Sequence, residues 1–240
     1  MKSADQDDRV FLNRLADLAE RGSGFSDFLD MHQSSLVRGA MRSWLKGGVL
    51  HGGYDDAERV MLGFGAVSEA FPIEVIAVSV AKQDELAHRD ILGSLIGLGI
   101  KREVLGDICK SDFGFYVFAH SRIAAFVCDN FEMAGRKKIQ AEISEYNPER
   151  VTCKTEEIRK TVSSLRLDCV LAAACNVSRG KAEELVASGR CFVDGVCATK
   201  SEMKLADGQK VTVRGQGRFI VETAGVSKKG KQIIVLTMVR

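Results

Sequence analysis

The segment Asn176 to Arg190, NVSRGKAEELVASGR, places anion-binding residue types at the start of a short helix. Ser178 suits an N-cap, because its hydroxyl can accept from the backbone N–H of Lys181. Arg179 and Lys181 then fall in the first turn. Cations there oppose the positive end of the helix dipole, by typically ~0.3–1 kcal/mol each. A helix selected for stability alone would carry Asp or Glu at those positions. A bound anion accounts for the pattern, since free backbone N–H groups and both cations would converge on it. Gly180 would let a phosphate come close to the backbone, and Arg190 follows one turn beyond the helix end. The alternative is that these side chains simply point into water. On the anion reading the charge of Arg179 brings no local stability, so Arg179→Ala should keep the melting temperature or raise it slightly.

Charge distribution points the same way. Residues 164–240 hold 13 Lys+Arg against 7 Asp+Glu, a net of +6, whereas residues 1–163 carry a net of −4. A basic C-terminal third behind a mildly acidic body fits a polyanionic partner. The chain of 240 residues has room for two ordinary domains, and its 45% hydrophobic and 28% charged content is that of a soluble globular protein. Apolar runs such as Val75 to Val78 are too short to span a bilayer. The polar, acidic start Met1 to Val10 is not a secretory leader, so the expected location is cytoplasmic, with no membrane partner. The seven cysteines include no C-x-x-C pair, which indicates free thiols and neither a zinc ribbon nor a disulfide framework. No cofactor or metal site is expected, and the chain is expected to be monomeric.

The elements that must hold these residues follow from periodicity. Residues 1–58 read as helical. Phe11, Leu15, Leu18 and Ala19 mark one stripe. Leu36, Val37, Ala40, Met41, Trp44 and Leu45 mark another, stopped by Gly47 and Gly48, with Trp44 in the core. Residues 59–146 show short β-rich runs at Val60 to Phe64, Ile73 to Val80, Val104 to Cys109, Phe113 to Ala119 and Ile139 to Ile143. Helices interrupt them near Asp84 to Leu98, with Leu86, Ile91, Leu92, Leu95 and Ile96 inward, and near Ser121 to Phe131. The fold class is therefore α+β, an α/β sandwich with helices on one face of a mainly antiparallel sheet. Residues 147–163, polar and holding Pro148, read as a linker. Residues 164–240 give two short helices and then strands, with hairpin turns at Asp194-Gly195 and Asp207-Gly208.

Arg166 to Asp168 (RLD), Ser178 to Ala182 (SRGKA), Gly189 to Val196 (GRCFVDGV) and Leu205 to Val213 (LADGQKVTV) form a series at specific spacing. This series resembles the S-four RNA-binding domain, in which two short helices present a basic face to structured RNA. The resemblance implies an RNA face of Arg166, Ser178, Arg179, Lys181, Arg190 and Lys200. Asp194 and Arg190 depart from the Asn and Lys usual there, and Asp194 would repel a phosphate. Arg214 and Arg218, around the turn RGQGRF, extend the face. In the body stand GGYDDAER (Gly52 to Arg59), HRDILGSLIGLGIKRE (His88 to Glu103) and LGDI (Leu105 to Ile108). Together with the C-terminal series these resemble the bacterial YlmH family over nearly the whole chain. That family implies N-terminal helices, an RRM-like middle domain and a C-terminal S-four domain. It also implies binding to ribosomal RNA on an obstructed large ribosomal subunit carrying peptidyl-tRNA, in ribosome-associated quality control that supports C-terminal tailing of the stalled peptide.

Two other function classes remain open. His88-Arg89-Asp90 lacks the Asn that a kinase catalytic loop needs, for Leu95 stands there. Pseudouridine synthases often join an S-four domain to a catalytic domain with an RLD-type motif, but the only RLD here lies within the C-terminal helix. His88 is expected to be a partly buried helix residue, with Arg89 and Asp90 forming an ion pair or touching RNA. An RNA-modifying enzyme would show a catalytic acid in a pocket of the body and a modified nucleotide in vitro. A cell-division scaffold would keep its protein partners after ribonuclease treatment. In the run FGFYVFA, alternation puts Phe113, Phe115 and Val117 on one face and Tyr116 and Phe118 on the other, for packing and docking rather than base stacking. Tyr54, in a loop between glycines and acids, is the expected exposed contact.

Overall fold

The computed structural model describes residues 2–55, 57–65, 71–81, 86–152 and 155–239. The chain divides into two compact units, Met1–Thr152 and Cys153–Arg240. In the first, helices α1 (Lys2–Arg21) and α2 (Met31–Met41) pack Leu15, Val37, Ala40 and Leu45 around Leu62 and Phe64. Asp30 caps α2, accepting from the Gln33 N–H while the Gln33 side chain returns to the Asp30 N–H, a reciprocal pair that satisfies two helix-end donors.

Two expectations for this region are corrected. The region is not helical alone, because β1 (Gly24–Phe25), β2 (Val49–His51) and β3 (Met61–Phe64) form a sheet in the order β1-β3-β2. The strand assigned to the middle sheet from Val60 to Phe64 belongs here, and its four side-chain positions are all buried, so it offers no alternation to show its partner. Trp44 is not core: it is 50% exposed. Helix α2 ends at Met41, before the glycines, and the N–H groups of Ser43, Trp44 and Leu45 all converge on the Ala40 carbonyl. That tightened turn swings Trp44 off the stripe while Leu45 stays buried.

The middle sheet is antiparallel, in the order β5-β6-β4-β8-β7, built from β4 (Ile73–Val80), β5 (Leu105–Lys110), β6 (Gly114–His120), β7 (Met133–Ala134) and β8 (Lys137–Ile143). Helices α3 (His88–Gly97) and α4 (Ser121–Asn130) bring Ile91, Leu95, Ala124 and Val127 onto Ile76, Val78, Phe115 and Val117. Asp84, the expected start of the first helix, lies outside the described residues. Ile96, expected inward, is exposed, lying about 140° around the helix from Ile91. Phe113 is likewise corrected: it packs with Tyr116 and Phe118, not with Phe115 and Val117. It precedes the strand, and Gly114 at φ 149° breaks the pleat between them. A Cβ at Gly114 would lie 2.2 Å from the Val78 carbonyl oxygen. Gly114→Ala should therefore cost more than ~1 kcal/mol, read as a lower urea midpoint at unchanged slope.

The second unit has β9 (Thr155–Val162), α5 (Leu167–Cys175), α6 (Arg179–Ala187), β10 (Cys191–Val193), β11 (Val196–Cys197), β12 (Gln209–Val213), β13 (Gly217–Val226) and β14 (Gln232–Val239). The sheet order is β11-β10-β12-β13-β14-β9. Its core joins Leu167, Val170, Leu171, Ala182, Leu185 and Val186 to Val211, Phe219, Val221, Ile234 and Leu236. The expected linker 147–163 is corrected: β9 pairs with β14 from Thr155↔Val239 to Val162↔Gln232. Charge-rich TEEIRKTV is an edge strand, and charges on an edge deter pairing with other chains.

Candidate nucleic-acid interface

Helices α5 and α6 meet through a tight corner. Asn176 closes α5 in the left-handed region at φ 53°, Val177 N–H returns to the Ala172 carbonyl, and Ser178 Oγ then accepts from the Lys181 N–H at 3.2 Å. The corner brings Arg179 back over the start of α5, onto Asp168. Arg179 Nη2 donates to Asp168 Oδ2 at 2.5 Å, and Arg166 donates through Nε and Nη2 to both carboxylate oxygens at 3.2 and 3.0 Å. The Cys169 N–H donates to Oδ1 at 2.8 Å. The carboxylate has no exposed surface, whereas the Arg166 and Arg179 side chains remain 39% and 55% exposed. Burial pushes the Asp168 carboxyl up, but hydrogen bonds from Arg166, Arg179 and Cys169 outweigh it and hold it well below the usual carboxylate range.

This pairing overturns one expectation. Arg179 has a local partner, so its charge does stabilise the fold, and Arg179→Ala should lower the melting temperature rather than spare it. The cation at the start of α6 is balanced by Asp168 as well as by any ligand. Asp168 is the residue the sequence reading missed. The RLD spelling was visible, but only the corner shows that its carboxylate ties two arginines together.

The other face residues divide into groups. Arg214 N–H donates to the Arg190 carbonyl at 2.9 Å, Arg190 Nη2 donates to the Arg214 carbonyl at 2.6 Å, and the Arg214 guanidinium lies over the Phe192 ring at 5.3 Å. Arg218 lies opposite Thr212, in the strand that continues to Val213. Lys181 is drawn sideways to Glu184 at 2.6 Å. Lys200 is exposed in the turn before Lys204, and a backbone bridge pairs Lys204 with Arg166, which sets Lys204 beside the clamp. Asp194 sits in the left-handed region of its hairpin turn, and its carboxylate accepts from the Lys210 N–H and Gln209 Nε2. It is occupied in holding the turn to β12. The structure thus brings Arg166, Arg179 and Lys204 together, and separately Arg190 with Arg214.

In the first unit the motif GGYDDAER closes on LGDI. Asp107 accepts from Tyr54 Oη at 2.9 Å, Glu58 N–H at 2.7 Å and Arg59 N–H at 3.1 Å. Tyr54 is therefore not an exposed contact. Burial first, and the Asp107 charge second, raise its pKa, so the hydroxyl stays a donor. Gly53, at φ 96°, brings the loop against Phe118, and the Tyr54 ring lies 4.8 Å from that of Phe118 and 5.2 Å from that of Tyr146. Tyr116 and Phe118 are buried beneath this layer. The sheet face on which RNA-reading sheets stack bases is here filled by the chain's own aromatics. His88 keeps an exposed surface, while burial first and the Arg102 charge second lower its pKa. Asp90 accepts from the Ala87 N–H and lies 3.9 Å from Arg89, so it serves as a helix-end cap. Burial pushes the Cys191 thiol up to about 12, which keeps it protonated. Among the described residues no cluster of three His, Cys, Asp or Glu is placed to hold a metal, and no helix is long and apolar enough to cross a membrane.

The fold is thus an α+β chain whose basic second unit carries two arginines clamped on one buried carboxylate. Residues 67–148 match the family model described as "Putative RNA-binding domain in YlmH". The chain is 31% identical over 214 residues to the "Ribosome-associated protein quality control protein P2" of Bacillus subtilis (strain 168), covering 86% of this chain and 83% of that protein. The chain belongs to the YlmH family. A solved structure titled "Cell division protein ylmH from Streptococcus pneumoniae" is 21% identical, with a TM-score of 0.49, over 61% of this chain and 95% of that one.

Proposed function

We propose that this chain is a non-enzymatic RNA-binding protein acting in ribosome-associated quality control, in the cytoplasm and as a monomer. Its second unit, of the S-four type, grips phosphates of ribosomal RNA on the large subunit, with peptidyl-tRNA a further candidate partner. The observation that carries this reading is the pair Arg166 and Arg179, fixed by one buried carboxylate yet half exposed. Held side chains lose less rotamer entropy when a phosphate arrives, and a guanidinium fork suits phosphate oxygens. The family and the name of the Bacillus subtilis relative support the ribosomal setting. The first unit orients the protein or docks a partner, because its aromatic sheet face is already filled. An RNA-modifying role is disfavoured by Asp168 itself, since two guanidiniums cover the only RLD carboxylate.

Co-sedimentation with free large ribosomal subunits tests the proposal. The protein should migrate with them, and log affinity should fall against log salt with a slope of roughly −3 to −5, as for about four to six neutralised phosphates. Lys200→Ala with Lys204→Ala should flatten that slope by about 1 to 2. Failure to co-migrate, or a flat salt response, would refute the reading.

A further inference from the structure

The face described above leaves out the strongest unbalanced charge of the second unit. Arg166, Arg179 and Lys181 all have carboxylate partners. Lys228, Lys229 and Lys231 have no ion-pair partner among the described residues, and all three are exposed. They occupy the turn between β13 and β14. Ser227 closes that turn: its N–H donates to the Lys231 carbonyl at 2.7 Å, its Oγ accepts from the Lys231 N–H at 3.0 Å, and its carbonyl accepts from the Gly230 N–H at 2.9 Å. Nothing in this closure requires lysine at 228, 229 or 231. Three like charges within four residues repel one another, so the turn carries them at a local cost.

Their place in the fold is specific. β12 accompanies β13 only as far as Gln209↔Val221, so beyond that point β13 is uncovered on one side, while β9 stays beside β14 up to Gln232 at the turn. A bulge between Thr223 and Gly225 increases the twist of the hairpin. Its turn end lies towards the strand end that leads to the arginine clamp. Val162 pairs with Gln232, and Arg166 stands four positions after Val162, a reach of at most ~14 Å. From the other side, Asp207 fixes Thr223, accepting from its N–H and hydroxyl, while Lys204 pairs with Arg166. Arg218 is at the far end of β13, about 27 Å from Val226 at ~3.4 Å per residue. The basic residues thus run from Arg214 and Arg218, past Arg166, Arg179 and Lys204, to the hairpin tip.

We propose that the Lys228-Lys229-Lys231 hairpin is a second phosphate-binding element, which extends the RNA footprint beyond the helical face along one side of the second unit. This rests on the RNA-binding reading above. An RNA backbone fits better than a lipid surface, because the tip continues a line of cations and offers only Val226, 61% exposed, as an apolar contact.

The test uses the full chain and two probes, free large ribosomal subunits and a short RNA duplex of generic sequence. The triple variant Lys228→Gln, Lys229→Gln, Lys231→Gln should melt like the parent. Its salt slope should be shallower by about 2 to 3, so that between 50 and 200 mM salt the parent loses roughly 15- to 60-fold more affinity than the variant. A variant with parental affinity and slope, while Lys200→Ala with Lys204→Ala still weakens binding, would overturn the hairpin assignment and leave the helical face standing. Loss of binding to anionic phospholipid vesicles with RNA binding intact would make the hairpin a membrane contact and overturn the proposal. If the parent binds neither RNA probe, the function and the hairpin fall together.

Discussion

Asp168→Ala should destabilise the second unit by about 3 kcal/mol. The carboxylate accepts four hydrogen bonds, three of them from guanidiniums. Bonds to charged groups contribute ~1.5–3 kcal/mol each, but they are not additive, and two half-exposed arginines regain water when released. Asp168→Asn separates charge from shape. It keeps the volume and an acceptor for the Cys169 N–H, so it should lose less. The pH dependence has a definite sign. The folded carboxyl titrates below its unfolded value near ~3.9, so its contribution is complete above about pH 4 and is lost as pH falls towards the folded pKa. Asp168→Asn should remove that acid-side loss. Arg166→Ala and Arg179→Ala each leave one guanidinium on the carboxylate, whereas the double variant strands it. The double loss should then exceed the sum of the singles, with the Asp168 carboxyl driven up into protonation. Hydrogen exchange of the α5 amides in the full chain measures all five variants. Additive losses, or an acid limb kept in Asp168→Asn, would show that the carboxylate does not organise the corner.

The same corner shows what a sequence does and does not reveal. Val170, Leu171 and Ala174 on α5, the Ser178 cap and the Asp194-Gly195 turn rest on local chemistry and lie where periodicity and turn preference put them, whereas Leu165, expected on the same helix, precedes it and packs against the core from the bend before α5. Arg179 was legible as an anomaly but not as a partner, because Asp168 stands eleven positions earlier and meets it only through the left-handed turn at Asn176. β9 was hidden by its own edge position, since charges that protect an edge look like those of a linker. β1 and β2, of two and three residues, are too short for any period to register. Tyr54 misled for a related reason. Glycines and acids around an aromatic suggest an exposed loop, but the acid that holds its hydroxyl is Asp107, 53 residues away.

That long-range closure carries the other large expected effect. Arg59 donates to the carbonyls of Leu105 at 2.8 Å and of Phe28 and Arg102 at 3.1 Å, joining the N-terminal region to β5 and the turn before it. Leu105 and Phe28 are buried, so water cannot easily replace the guanidinium there. Arg59→Met keeps the length of the side chain and removes every donor. At ~1–3 kcal/mol for each stranded acceptor, with Leu105 partly served by Arg102, the loss should be about 4 kcal/mol. Arg59→Lys should recover only part, since an ammonium cannot reach three carbonyls in a planar fork. Tyr54→Phe deletes a single hydroxyl and should cost only about 1 kcal/mol. The single tryptophan, Trp44, lies in the first unit, so its fluorescence during urea unfolding of the full chain follows the unit in question. RNA binding below the unfolding midpoint should persist in Arg59→Met, because the proposed phosphate contacts belong to the second unit. A parental midpoint for Arg59→Met would mean that the carbonyls are satisfied some other way. Loss of RNA binding while Trp44 still reports a folded first unit would move the Gly52 to Arg59 motif from architecture into the binding site.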